Sequence, residues 1–370
     1  MSTIAVLGGG QLGRMLALAG TPLDLRLRVL DPSHDAPAAA VAEHVCAGYG
    51  DTAALERLTR GAVAATFEFE HVPLATAQWI AERMPLRPGM DSLRICGDRL
   101  LEKQFVCDMG GEVAPFAPVD DEASLLAAVQ RIGEPAILKT RTQGFDGRGQ
   151  HSVDVPEQAF AAWNALGRVP AILERRVAFK RELALIAVRG LQGETRFYPL
   201  IETRHRDGIL VSAIAPAADV SPEITRRAEQ LATRLLDGLR HVGVLAMECF
   251  ERDGQLLVNE LAPRVHNSGH WTLEGAATSQ FENHLRAILG LPLGNTEARE
   301  PTALVNLIGR LPDMREVLSW PDTHLHLYAK RPRAGRKLGH VTLRAAHHET
   351  LHQRVEAIEA MLAETVNPQS

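Results

Sequence analysis

Aromatic residues make up only 5% of this 370-residue chain, too few for the stacking platforms on which proteins hold single-stranded nucleic acid. Positive charge is short as well. Forty Lys and Arg against 45 Asp and Glu leave a formal net charge of −5, so no general electrostatic pull draws nucleic acid to the chain. No apolar run approaches the roughly 18 residues of a membrane span. The opening segment Met1-Ser-Thr-Ile-Ala-Val-Leu-Gly8 has no basic residues ahead of its apolar run, so it reads as a strand and not as a signal peptide. The four cysteines, Cys46, Cys96, Cys107 and Cys249, show no paired spacing, as expected of a reduced cytoplasmic protein with free thiols. Internal repeats and low-complexity segments are absent.

What remains is an ordinary globular composition, 45% hydrophobic, over a length that implies two or three domains. The first ~95 residues alternate apolar strands (Ile4–Leu7, Leu25–Leu30, Ala62–Phe69) with a helix from Gln11 to Leu18, the rhythm of a parallel sheet. A helix over Asp98–Met109 is broken by Gly110-Gly111. A second alternation follows: helix Asp121–Ile132, strand Ala136–Lys139, a glycine-rich loop, helix Pro156–Leu166 and strand Ala171–Glu174. Strands dominate from Glu182 to Val211, and a long amphipathic helix runs from Pro222 to Leu239. Thr278–Leu289 reads as a helix, Ala303–Gly309 and Leu325–Tyr328 as strands, and the last ~25 residues as a helix with a frayed tail.

The richest stretch is Asn259-Glu260-Leu-Ala-Pro-Arg264-Val-His266-Asn267-Ser-Gly-His270, with a second carboxylate upstream at Glu248. Both carboxylates lie in short apolar strands joined by Glu251-Arg252-Asp253-Gly254. Side chains alternate faces along a strand. A two-residue loop pairing Glu251 with Gly254 would put the acids on opposite faces. A three-residue loop, Arg252-Asp253-Gly254, pairs Glu251 with Gln255 and puts both on one face, with Gly254 at the left-handed position. The expectation is therefore a three-residue loop. A carboxylate at Glu248 among Leu245, Ala246, Met247, Cys249 and Phe250 is costly without a cation, and oxygen ligands with phosphates suit Mg²⁺.

Two glycine loops add phosphate chemistry. Gly8-Gly-Gly-Gln11-Leu12-Gly13 sits between a strand and a helix, with Asp31 ending the second strand. This satisfies a dinucleotide fingerprint, but it says only that a phosphate meets backbone N–H groups or that the turn is tight. Lys139 ends an apolar strand and is followed by Gly144-Phe145-Asp146-Gly147-Arg148-Gly149-Gln150. That pairing fits a cation and a loop closing over phosphates, or else a surface hairpin. It is no Walker loop, because no Gly-Lys-Ser/Thr opens a helix. Glu174-Arg175-Arg176-Val177 and Glu182 form a polar hinge after a strand that can offer backbone groups to a purine and a carboxylate to ribose, or is simply surface. His324, His326, His347, His348 and His352 have no metal-closing spacing. The basic run Lys330-Arg331-Pro-Arg333-Ala-Gly-Arg336-Lys337 reads as a solvated face or as a grip for one phosphate monoester.

Taken together, Gly8-Gly-Gly-Gln-Leu-Gly-Arg14, Thr66-Phe-Glu-Phe-Glu70, Gly144–Gln150, Asn259–Trp271 and Gly335-Arg-Lys-Leu-Gly-His340 resemble the ATP-grasp ligases, most closely their aminoimidazole ribonucleotide carboxylase branch of bacterial and fungal purine synthesis. The resemblance covers nearly the whole chain. It implies an α/β fold, α+β in the middle: a Rossmann-like pre-ATP-grasp domain (1–97), an ATP-grasp domain (98–297) with a lid at about 112–180, and a small C-terminal domain (298–370). It implies ATP- and bicarbonate-dependent carboxylation of aminoimidazole ribonucleotide through carboxyphosphate, with Mg²⁺, in a cytoplasmic homodimer. Carried over, Arg99, Lys139, the loop Gly144, Phe145, Asp146, Gly147, Arg148, Gly149 and Gln150, then Glu174, Arg175, Arg176, Val177, Glu182, His205, Asn259 and Glu260 would contact ATP. Glu248 and Glu260 would hold Mg²⁺. Arg264, His266 and Asn267 would stabilise carboxyphosphate, with His266 the candidate for moving the amine's proton. Gln11, Leu12, Glu70, Asp146, Arg148, Arg264 and His266 would surround the ribonucleotide, and Arg336 and Lys337 would take its phosphate. The glycines at 8–13 would thus serve the ribonucleotide. The loop usually carries Tyr where this chain has Phe145. Other ATP-grasp ligases acting on formyl, biotin or amino-acid substrates lack the Arg264–His270 and Gly335–His340 patterns. A nicotinamide oxidoreductase leaves Glu248, Glu260 and the 144–150 loop unexplained, and a non-catalytic nucleotide-binding regulator has no need of so complete a set.

Overall fold

The computed structural model of the protein describes residues 2–144 and 147–363. Its first unit comprises β1 (Ser2–Leu7), α1 (Gln11–Gly20), β2 (Leu25–Asp31), β3 (Glu43–Cys46), α2 (Thr52–Thr59), β4 (Ala62–Phe67), α3 (Leu74–Ala81) and α4 (Met90–Cys96). The strands pair in parallel in the order β3-β2-β1-β4. Ile4, Ala5, Val6 and Leu7 are all fully buried. Helices cover both faces, which is why β1 reads as a continuous apolar run and not as an alternation.

Helix α5 (Arg99–Asp108) begins at Asp98, whose side chain accepts from the Leu100 and Leu101 N–H groups, a cap that satisfies two orphan donors. After β5 (Glu112–Val113) come β6 (Phe116–Val119), α6 (Glu122–Ile132), β7 (Ala136–Thr140), β8 (Gln150–Val153), α7 (Gln158–Ala165) and β9 (Ala171–Arg175). They form a separate antiparallel sheet, β6-β9-β7-β8, with its own core around Val119, Leu125, Leu138 and Trp163. The residues expected to form a lid fall in this unit.

The remainder is β10 (Arg181–Arg189), β11 (Thr195–Phe197), β12 (Ile201–Arg206), β13 (Ile209–Ala215), α8 (Pro222–Gly238), β14 (Gly243–Arg252), β15 (Gln255–Ala262), α9 (Thr272–Gly275), α10 (Gln280–Leu289), β16 (Thr302–Ile308), α11 (Met314–Ser319), β17 (Thr323–Leu327), β18 (Lys337–Arg344) and α12 (His348–Ala363). One sheet runs β17-β18-β16-β13-β12-β10-β14-β15-β5. The strands of the small C-terminal part therefore continue the central sheet, joined to it where β13 pairs with β16. Helix α8 buries Ile224, Ala228, Leu231 and Leu235 on one stripe against a core that includes Leu185, Leu245 and Met247. Among the described residues no helix is long and apolar enough to cross a membrane.

The hairpin β14–β15 corrects the loop expected above. Arg252 pairs with Gln255, so the loop has two residues, Asp253 and Gly254, with φ of 51° and 75°. This is the turn an Asp-Gly pair favours. Regular pairing from there would set Glu248 opposite Asn259 and turn Glu260 away. A β-bulge restores the face: Cys249 pairs with Val258 but Glu248 with Glu260, leaving Asn259 as the extra residue. Both carboxylates do share a face, by a different device.

The first unit and the central sheet share one core through α10, whose Phe281, Leu285 and Ile288 pack with Ile4, Val6 and Leu16 on one side and Ala184 and Ile186 on the other. Buried histidines reinforce this junction. The Thr66 hydroxyl lies 2.8 Å from His284 Nε2 while the Val244 N–H donates to His284 Nδ1, and His241 bridges Ser92 and the Val244 carbonyl. Burial pushes His284 down to about 3 and His241 down to about 4. In the unfolded chain these rings take up protons below about pH 6.5; in the fold they do not. Stability is therefore full above that pH and falls as acid drives unfolding, by roughly 1.4 kcal/mol per pH unit for each ring. Urea unfolding between about pH 7 and pH 4 should show this slope, and replacing His284 by Gln should remove about half of the share assigned to the two rings.

Candidate active site

Glu248 and Glu260 face each other across the β14–β15 ladder. Burial, and then the charge of Glu260, push the Glu248 carboxyl up to about 7. Burial pushes Glu260 the same way, but Arg99 and Lys139 overcome it and hold Glu260 below its usual range. Arg99 Nη1 lies 3.2 Å from Glu260 Oε2, and its Nη2 donates to the Gly144 carbonyl. The buried Asn259 Oδ1 has no hydrogen-bond partner among the described residues. Two carboxylates and a carbonyl oxygen left without a donor form a hard-oxygen set that fits Mg²⁺. Among the described residues no group of three or more His, Cys, Asp or Glu gathers as a metal cage, which accords with an ion that completes its shell from phosphates.

Lys139, at the end of β7, is buried and bonded to Glu174 at 2.6 Å. Lys103 holds the other oxygen of that carboxylate at 3.1 Å and donates to the Asn259 carbonyl. Burial alone would raise Glu174, but the two lysines outweigh it and hold it at about 2. Glu174 thus lies within β9 and not at a hinge beyond it, and in this state its carboxylate serves the lysines. Glu182 and His205, on β10 and β12, are bonded at 2.6 Å. Arg175 and Arg176 do not join the cluster. The Arg175 guanidinium donates to Ile132 and Glu134 carbonyls, Arg176 pairs with Asp154, and their N–H groups donate to Pro115 and Pro135. The candidates Phe145 and Asp146 lie outside the described residues.

Beside the carboxylates opens a cavity of about 720 Å³. It collects Gln11, Leu12, Glu70, Arg148, Arg264 and His266, with Asn267, Arg336 and Lys337 also on its wall. These come from all three parts of the chain. Arg264 Nε is bonded to Glu70 at 2.5 Å, and Lys330 donates to Gln11 at 2.6 Å. Both side-chain heteroatoms of Asn267 are buried without partners among the described residues. His266 is neutral, its ring pushed far below its usual value by burial and then by Arg264 and Lys337. The Ser268 N–H donates to its Nδ1, which assigns the ring proton to Nε2. His266 therefore offers a hydrogen-bond donor to an anion at Nε2, and accepts a proton at that atom only after changing tautomer. Its Nδ1 lies 3.6 Å from Glu248, so cavity and carboxylates share a wall.

The first glycine loop is not a phosphate site. Its Gly10 and Gly13 N–H groups donate to the carboxylate of Glu68, and the Gly9 N–H donates to Asp31 at 2.9 Å. The anion that the start of α1 favours is supplied by the chain itself. Asp31, the acid that a dinucleotide ribose would use, is committed to the loop. Only Gln11 and Leu12 of this motif reach the cavity. Glu68 and Lys103 were missed by sequence reasoning, and Lys330 was read only as part of the basic run. Lys103 had a signal: Arg99, Glu102 and Lys103 occupy one face of a helix at i, i+3 and i+4.

An ATP-type cation and carboxylate cluster under a lid sheet, beside a basic cavity, defines an ATP-grasp ligase, and the comparisons agree. The ATP-grasp domain model matches residues 104–281, the ribonucleotide synthetase preATP-grasp domain 1–97, and the phosphoribosylaminoimidazole carboxylase C-terminal domain 302–354. N5-carboxyaminoimidazole ribonucleotide synthase of Pseudomonas aeruginosa is 49% identical over 97% of this chain and 99% of that one, and its Bacillus subtilis counterpart is 40% identical over 92% and 91%. The crystal structure of the Thermus thermophilus synthetase superposes with a TM-score of 0.93 at 49% identity, covering 99% of this chain and 100% of that one. The Aspergillus clavatus synthase, in complex with ADP and 5-aminoimidazole ribonucleotide, gives 0.90 at 32% identity, covering 98% of each. The chain belongs to the N5-carboxyaminoimidazole ribonucleotide synthase family.

The reassigned glycine loop is open to a direct check. Glu68→Ala leaves the Gly10 and Gly13 N–H groups without their acceptor and should cost about 1–3 kcal/mol in urea unfolding, while neither wild type nor variant binds NADH in a fluorescence titration. A wild-type protein that binds NADH at micromolar concentration contradicts the assignment.

Proposed function

We propose that the protein carboxylates 5-aminoimidazole ribonucleotide to N5-carboxyaminoimidazole ribonucleotide at the expense of ATP and bicarbonate, with the work divided among the residues described above. The observation that carries this reading is the cavity in which Gln11, Glu70, Arg264, His266, Arg336 and Lys337 converge against the Glu248–Glu260 pair.

A bicarbonate oxygen attacks the γ-phosphorus of ATP, and ADP leaves. The resulting carboxyphosphate breaks into CO₂ and phosphate. The 5-amino group of the ribonucleotide takes the CO₂ and passes a proton to the phosphate released beside it, forming the carbamate. Lys139, Arg99 and the loop residues Gly144 and Gly147–Gln150 bind and orient the phosphates, with Glu174, Val177, Glu182 and His205 around the nucleoside. Glu248 and Glu260, with Asn259 beside them, would hold Mg²⁺, which neutralises charge between the β- and γ-phosphates when bound. Arg264, Asn267 and the Nε2–H of His266 are aimed at the anionic carboxyphosphate, an oxyanion-type arrangement. Arg336 and Lys337 take the ribonucleotide phosphate. The lid excludes water from an intermediate that water destroys. We place the enzyme in the cytoplasm as a homodimer.

Phosphate release from ATP and bicarbonate, with and without the ribonucleotide, tests the reaction. Ribonucleotide-dependent turnover is expected, and its absence sinks the proposal. In the same assay Glu260→Gln should abolish turnover in a folded protein. Arg336→Ala or Lys337→Ala should raise the KM for the ribonucleotide roughly ten- to a hundredfold and leave the KM for ATP in place.

A further inference from the structure

The glycine loop after β7 is anchored at both feet. Arg99 holds the Gly144 carbonyl, and the Thr140 N–H donates to the Gly149 carbonyl. Gly147 meets the turn between β12 and β13 backbone to backbone. A Cβ placed on Gly147 would lie 2.3 Å from the Asp207 carbonyl oxygen, and one placed on Gly208 would lie 2.5 Å from the Gly147 Cα. Both obstacles are backbone, so no side chain can turn aside to make room. Asp207 and Gly208 form the tight turn between β12 and β13, with φ of 53° and 75°. The strand that carries this turn also carries His205, and it is tied to α12 by ion pairs from Arg204 and Arg206 to Glu359.

We propose that the Asp207–Gly208 turn is the seat on which the nucleotide loop closes, and that Gly208 is a positioning residue for the reaction, steadied by Glu359 of the C-terminal helix. The inference rests on the loop's reading as an ATP clamp. The hairpin ends in a glycine because the loop's backbone docks directly on it, and this apex contact sets the roof over the γ-phosphate. A loop that cannot seat admits water, and carboxyphosphate then returns to bicarbonate and phosphate before the amine receives CO₂.

The chain supplies its own control. Gly61, just before β4, also has a left-handed backbone, with φ of 70°, and nothing lies within 4 Å of a Cβ added there. Gly208→Ala and Gly61→Ala therefore carry comparable backbone strain, but only the first meets the loop. In the full-length enzyme, Gly208→Ala should raise the KM for ATP roughly tenfold or more, as ångström-scale misplacement does, and should release several phosphates per ribonucleotide carboxylated. Gly61→Ala should keep the wild-type KM and a ratio near one at a similar melting temperature. Glu359→Gln should shift both quantities in the direction of Gly208→Ala by a smaller factor, and it decides the matter if Gly208→Ala does not fold. Equal behaviour of the two glycine variants overturns the seat, as does wild-type coupling in Glu359→Gln when Gly208→Ala is unfolded. Arg148→Ala separates the two layers: if it leaves the KM for ATP unchanged, the clamp reading itself fails, whereas a raised KM there with a normal Gly208→Ala refutes the seat alone.

Discussion

Everything at the centre of this protein depends on two carboxylates being held face to face, one of them buried in the sheet. Glu248 sits on the most buried stretch of β14, between Met247 and Cys249, both nearly inaccessible to solvent. Its partner Glu260 approaches from β15. Like charges so placed cannot both ionise without help, and burial adds to the difficulty. Arg99 relieves Glu260; Glu248 is left to wait for a cation. Under the proposed function, that leaves Glu248 short of positive charge, which the metal ion of a metal–nucleotide complex would supply.

The fold delivers that pair by small irregularities on a regular frame. A tight Asp-Gly turn starts the ladder and a bulge at Asn259 changes its parity. The Oδ1 of that extra residue is buried without a hydrogen-bond partner among the described residues. Beyond the hairpin the chain runs directly into Arg264, His266 and Asn267, so the carboxylate pair and one wall of the cavity are built by one continuous segment. Continuity of the central sheet into β16 and β18 then fixes the basic end of the cavity at Lys337 relative to the hairpin. A flexible tether between those parts would leave the phosphate grip and the transfer site free to drift.

Much of this was legible in the sequence, and the failures share a cause. Apolar strands flanking Asp253-Gly254 revealed the hairpin, a carboxylate in an otherwise apolar segment revealed Glu248, Arg264 stood out in the polar stretch after Glu260, and Glu70 came from the family resemblance. The cavity residues Gln11, Leu12, Arg148, His266, Arg336 and Lys337 were drawn from the family resemblance, and the fold brings them together. The loop length was misjudged because side-chain alternation presumes regular pairing, and a bulge leaves no mark on it. The loop at Gly8–Gly13 was misread because its anion, Glu68, lies 58 residues from Gly10 along the chain. No local pattern announces a carboxylate that arrives from another strand. Arg175 and Arg176 were included by adjacency to Glu174, yet alternation along β9 and the chain's exit from it send their side chains elsewhere.

The most direct test is calorimetric titration of ATP, with and without Mg²⁺, into the wild-type enzyme and Glu248→Gln. If the facing carboxylates exist to hold a metal–nucleotide complex, Mg²⁺ should tighten ATP binding by about two orders of magnitude in the wild type, equivalent to roughly 2.8 kcal/mol. Most of that gain should vanish in the variant, whose metal-free affinity is equal or better. An identical Mg²⁺ dependence in the two proteins would contradict the account.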